Sequence, residues 1–182
     1  MIDLEREWRR ALRGLRLHLR PGAVETLGLV DAAKRGLIGA LPVSITGRNF
    51  EPVEVGDVRF ISPCFDLGGR LIDLIAWHAN SSRDWVSRVG VGTHLGRLPK
   101  PELPGEDSPI EVHASPLAWA RAAGNGIFPL ARCAADIPFI FGDYAGPLIF
   151  ESAAFAKAVR DALERPYPTA PIMVLRPSEV DR

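Results

Sequence analysis

Lysine is the rarest charged residue in this chain: Lys34, Lys100 and Lys157 stand against 19 arginines. A phosphate clamp or a Schiff base built on lysine therefore has few positions to use. A GC-rich coding bias is the plain alternative account of the same imbalance. The two cysteines, Cys64 and Cys133, lie far apart, and neither has a histidine nearby at metal-ligand spacing. That excludes a disulfide-stapled scaffold and a zinc ribbon, and it suits a reducing cytoplasm. There is no G-x-S-x-G elbow, no H-E-x-x-H helix, no C-x-x-C pair and no glycine-rich loop followed by lysine. These absences weaken an enzymatic reading without excluding one. No apolar run approaches the roughly 20 residues that span a bilayer. The opening residues MIDLEREWRR are charged and helix-like, unlike a secretory leader. A cytoplasmic protein is expected, with no membrane partner. Acids and bases balance at 22 each, so no global field draws in nucleic acid.

What is present is ordinary for a folded domain: 182 residues, 47% hydrophobic and 24% charged. One globular unit over 1–182 is expected. Residues 97–109, with Pro99, Pro101, Pro104 and Pro109, mark an internal boundary between a helical and β-hairpin front half and an α/β back half. The fold class is α/β or α+β: a mixed sheet with an antiparallel hairpin in front, a βαβ-type unit behind, and an N-terminal helical hairpin.

The front half centres on 57–79 (DVRFISPCFDLGGRLIDLIAWHA), two apolar runs broken by Gly68-Gly69 as in a β-hairpin. Leu71 to His78 is apolar except at Asp73, the pattern of a strand buried on both faces. A carboxylate there needs a partner, in a structural ion pair or a hydrogen bond, and Arg59 or Arg88 across the sheet is the obvious candidate. Asp73 and His78 are five apart and face opposite sides of a straight strand, so they form no dyad. Before the hairpin, Leu4, Trp8, Ala11, Leu12, Leu15 and Leu19 make one apolar helical stripe, with Asp3 as cap. Its other side carries Arg6, Arg9, Arg10, Arg13 and Arg16. Such a face can hold phosphate backbones, or it is the solvated side of an amphipathic helix. A second helix is expected over 23–35, closed by Gly36. Strands are expected at 41–46, 52–55 and 85–89.

In the back half, Ile110–His113 reads as a strand, and Ser115, Pro116 and Gly124 frame a short helix. Strands at 127–130 and 137–141 follow, then a helix over 149–163 and a strand at 171–175. The segment VHASPLAWARAAGNGIFPL resembles small proteins of bacterial prophages and mobile elements, a likeness that implies no activity.

Three candidates for chemistry emerge. Asp143 and Tyr144 lie between an expected buried strand and a helix, where open α/β sheets collect ligands, with Glu151 one or two helical turns away. Turn formation explains the same residues equally well. His113 is a further candidate for that site, and a bulge or a neighbouring strand could also bring Asp73 near it. The glycine-rich stretch 90–96 invites a nucleotide, but the following Arg97-Leu98-Pro99 starts no helix, and a flexible turn is the simpler account. No cofactor and no metal are expected. The leading functional expectation is a non-catalytic accessory or protein-interaction protein, binding a partner or itself through the arginine helix or an exposed Trp85. The alternative is a small enzyme or ligand-binding protein with its site around Asp143.

Overall fold

Trp8, Ala11 and Gly14 recur at helical spacing and form the buried side of helix α1 (Leu4–His18), whose first turn is capped by the Asp3 carboxylate on the Arg6 amide at 2.9 Å. The computed structural model describes residues 2–81, 83–97, 109–141, 144 and 146–164. The expected second helix is two short ones, α2 (Ala23–Thr26) and α3 (Val30–Lys34), because Gly28 adopts a left-handed φ of +71° between them. Gly36 stops α3 as expected, with φ +65°.

Five strands then close a barrel in the order β1 (Gly39–Thr46), β2 (Asn49–Pro52), β5 (Trp85–Ser87), β4 (Leu71–Trp77), β3 (Asp57–Phe65). The expected hairpin is β3–β4, antiparallel from Phe60↔Trp77 to Phe65↔Leu71, with a register shift beside Cys64. Strand β2 lies over 49–52 rather than 52–55. Closure depends on one parallel pair, Asn49↔Ser87, where the Ser87 amide donates to the Arg48 carbonyl at 3.1 Å. Alternation gives the barrel two faces. Leu41, Val43, Phe50, Ile61, Leu74, Ala76 and Val86 join Trp8 and Ala11 of α1 in one core. Phe60, Cys64, Ile75, Trp77 and Trp85 point the other way and pack against α3 and the second sheet.

That second sheet runs β6 (His94–Gly96), β8 (Ile127–Pro129), β7 (Ile110–Val112), β9 (Leu148–Phe150). It takes β6 from before the proline-rich segment and the others from after it; residues 98–108 of that segment lie outside the described residues. The β7–α4–β8 unit is parallel as expected, with Val112↔Ile127 paired. Its helix α4 (Pro116–Arg121) is capped by Ser115 on the Ala118 amide at 3.0 Å. Residues 137–141 are helix α5 (Ile137–Phe141), not a strand. A five-residue apolar run does not distinguish the two, and Pro138 sits in the first turn, where a missing N–H costs nothing. The expected helix 149–163 divides into β9 and α6 (Ala153–Leu163), with Ser152 capping α6 through the Phe155 amide at 3.2 Å. The expected strand 171–175 lies outside the described residues. No helix among the described residues is long and apolar enough to cross a membrane.

Helix α1 lies unusually close to β1. A Cβ on Gly14 would sit 1.8 Å from the Ala40 carbonyl oxygen, and one on Gly39 2.6 Å from the Ala11 carbonyl carbon. Alanine in a helix interior ordinarily stabilises by about 1 kcal/mol over glycine. Gly14→Ala should instead destabilise by roughly 3 kcal/mol, the upper end of the overpacking range, in urea unfolding. A stabilised variant would show that the helix does not sit this close to the barrel.

Candidate functional site

The carboxylate of Asp73 is fully buried and, among the described residues, pairs with no arginine side chain. Its Oδ1 accepts from the amides of Leu74, Arg88 and Val89 at 2.8, 3.1 and 2.9 Å. Its Oδ2 accepts from those of Gly90, Val91 and Gly92 at 2.8, 2.9 and 3.0 Å. The expected ion pair is thus replaced by a nest of main-chain donors. Arg59 is bound elsewhere, to Asp57 at 2.8 Å and Asp84 at 2.6 Å. The Arg88 guanidinium grips Glu7 of α1 through two bonds of 2.9 and 3.1 Å. The two glycines have separate roles. Gly90 supplies a φ of +93°, and Gly92 leaves room where a Cβ would lie 2.8 Å from Cys64 Sγ. The glycine-rich stretch is therefore an anion nest whose anion is internal. Its amides are spent on Asp73 rather than on a phosphate.

His113, at the end of β7, is buried and bonded on both sides. Its Nδ1 lies 2.6 Å from Glu151 Oε1 and its Nε2 2.8 Å from the Asn125 carbonyl oxygen. A carbonyl oxygen only accepts, so Nε2 carries a proton and has no lone pair to offer. The ring ties β7 to the turn after α4 and to the end of β9, a bracing role. Tyr144 packs against the core of the second sheet, and its amide donates to the Phe141 carbonyl at the end of α5. Asp143 lies outside the described residues, and the strand that argued for it is the helix α5.

Cys64 donates to the His94 carbonyl at 2.9 Å. Burial, assisted by the Asp73 charge and opposed by hydrogen bonds to His94 and Thr93, pushes its thiol up to about 11. Burial also lowers His94 below the ordinary histidine value. Neither group is set up as a nucleophile or base at neutral pH.

The unspent polar groups gather where the barrel meets the second sheet. Trp85, expected at the surface, is 7% exposed and lies beneath the Arg132 guanidinium, whose carbon is 4.0 Å from the ring centroid. Arg132 also donates to the Trp85 carbonyl at 3.3 Å, and Phe128 meets the indole edge-on at 6.5 Å. Two cavities share the Trp85–Arg132 pair. One, of about 360 Å³, adds Arg48, Asn49, Ser87, Thr93 and Asp136. The other, of about 610 Å³, adds Arg83, Cys133 and the apolar side of α6. Burial and the neighbouring Arg48 charge lower the Arg132 pKa, only partly offset by Asp136. Burial alone would raise the Asp136 carboxyl. The Cys133 and Arg132 amides, the Cys133 thiol and the Arg48 charge nevertheless hold it below the ordinary carboxylate range. Two arginines and one carboxylate therefore line the smaller cavity, the groove, with Arg83 on the neighbouring one, an arrangement suited to an anion. Among the described residues no group of three or more His, Cys, Asp or Glu side chains is placed to hold a metal.

Sequence reasoning missed Arg48, Arg132 and Asp136 as a set. Only the spacing of Cys133 and Asp136 around a helix start gave a local signal. No family model, curated protein or solved structure matches the chain.

Two outcomes follow from this chemistry. Asp73→Ala leaves the nest amides without their acceptor and should cost about 3–5 kcal/mol in urea unfolding, a buried-charge magnitude. A loss below 1 kcal/mol would contradict the nest. For Cys64, the folded thiol titrates near 11 against an unfolded 9.0, so its contribution is complete below pH 9 and lost as pH rises toward 11. The stability gap between wild type and Cys64→Ala should therefore narrow by roughly 2–3 kcal/mol over that window. A constant gap would show a thiol that titrates normally.

Proposed function

We propose that the protein is a non-catalytic binding module, an accessory or interaction protein, whose groove at Arg48 and Arg132 receives the anionic group of a ligand or partner. The observation that carries this reading is the Arg132 guanidinium held 4.0 Å over Trp85 beside a second arginine. Stacking on the indole and the bond to the Trp85 carbonyl fix the guanidinium plane, so little rotamer freedom is lost when an anion arrives. Like charges drawn together at a groove are costly when empty, and an incoming anion relieves that cost. A carboxylate or phosphate shares the required chemistry.

The same reading accounts for the groups that do not act. Among the described residues Asp73, His94, His113 and Cys64 are buried side chains with catalytic potential, and each is engaged in internal hydrogen bonds. A ligand-binding site then belongs at this groove rather than around Asp143. Helix α5, which precedes Asp143, contributes Phe139 and Ile140 to the groove, so a ligand there would rest against that helix.

The test is a titration of the protein with inorganic phosphate, pyrophosphate and succinate, followed by amide and indole chemical shifts. At least one anion should perturb the Trp85 indole signal. Arg48→Ala and Arg132→Ala should each weaken that binding by about ten- to a hundredfold, the value of one or two charge-assisted hydrogen bonds. Shifts that leave Trp85 untouched, or affinities unchanged by both substitutions, would reject the groove as the site.

A further inference from the structure

The exposed side of α1 is a second basic surface, and the structure separates it from its acids. At about 100° per residue, Arg6, Arg9, Arg10, Arg13 and Arg16 fall within an arc of about 120°, and all five are exposed. They span about 15 Å of helix axis at 1.5 Å per residue. Among the described residues none of the five forms an ion pair with a carboxylate. The acids that dilute this helix in sequence are diverted. Asp3 caps the first turn, and Glu7 is turned to the other side, where Arg88 holds it bidentately. Glu5 stands at the margin, and Arg9 bonds its carbonyl oxygen at 3.3 Å rather than its carboxylate. The chain is neutral overall, but this ridge is not.

We infer that the α1 arginine ridge docks on the phosphate backbone of duplex nucleic acid, independently of the groove at Arg48 and Arg132. Charge complementarity selects this occupant. One arginine per roughly 3 Å of helix approximates the one phosphate per 3.4 Å of duplex axis on each strand. An anionic membrane would need apolar groups to insert, and the apolar face of α1 is spent on the barrel. A protein partner would need a buried aromatic or aliphatic anchor, and the ridge offers only Leu17 at its far end, 75% exposed. The support is rigid. Gly14 and Gly39 bring α1 into backbone contact with β1, and the Arg88–Glu7 bridge ties it to the nest. Contacts made by arginine tips to phosphates carry no base readout, so binding is sequence-independent and strongly salt-dependent.

The experiment is fluorescence anisotropy of a labelled duplex of about 20 base pairs, titrated with the full chain between about 50 and 200 mM salt. Wild type should bind with a slope of log K against log salt of about −4, and the Arg6→Gln/Arg13→Gln/Arg16→Gln variant with a slope nearer −2. These three side chains are exposed and glutamine keeps the helix propensity, so the urea midpoint should not move. Should the triple variant fail to fold, Arg13→Gln alone should reduce the slope by about 1. Arg48→Ala/Arg132→Ala should leave duplex affinity within about twofold, whatever becomes of small-anion binding. No duplex binding at about 50 mM salt, or binding unchanged by the ridge substitutions, overturns the inference. Preference for vesicles of anionic lipid over the duplex does so as well.

Discussion

A single carboxylate organises this molecule. Asp73 sits on β4, the second strand of the hairpin, fully buried, and the chain after β5 curls over it so that consecutive amides from Arg88 to Gly92 converge on its two oxygens. A buried charge without donors is prohibitively costly, and a run of unpaired buried amides is costly too. Each solves the other's problem. The consequence is directional, because the loop so anchored leads straight into β6, the first strand of the second sheet. The nest thereby sets where the barrel ends and how the second layer starts.

From that point the constraint spreads outward. Arg88 gives its amide to Asp73 and its guanidinium to Glu7, so the residue that closes the nest also fixes α1. Helix α1 in turn reaches β1 at backbone distance through Gly14 and Gly39. On the other side of the loop, Cys64 meets the His94 carbonyl under Gly92, and the strands meeting there bring Trp85 beside Arg132. The groove and the arginine ridge are thus carried on one connected frame. Among the described residues the Trp119 indole nitrogen is the buried side-chain polar atom left without a partner, while the arginines at the two surfaces keep donors to spare.

Much of this frame was legible before the structure. The apolar runs of 57–79 gave the hairpin, the interruption at Asp73 marked its one unusual residue, and Ser115-Pro116 with Gly124 gave α4 and its crossover. What sequence did not give is what depends on distance. Asp73 is held by hydrogen bonds, one of the two expected forms, but its partners are main-chain amides rather than Arg59 or Arg88, because a backbone amide carries no letter. The glycines at 90 and 92 were visible, but their role needs the strand beneath them. Barrel closure hangs on the Asn49↔Ser87 pair, which no local pattern announces. Helix α5 was misread because Ile-Pro-Phe-Ile-Phe is too short for a period to speak. The groove joins Arg48, from the turn between β1 and β2, to Arg132, after β8, and only the tertiary fold brings them together.

The claim most open to direct measurement is that the stretch 88–92 is not a loose glycine turn. Three of its residues are exposed to solvent, at Val89, Gly90 and Val91, and an exposed turn ordinarily exchanges its amide hydrogens freely. Native-state hydrogen exchange on the wild-type chain resolves this residue by residue. The account predicts that the amides of Val89, Gly90, Val91 and Gly92 exchange as slowly as those of β3 and β4, opening only with the whole barrel. Exchange at rates typical of a solvated loop would contradict it, and would remove Asp73 from the centre of the structure.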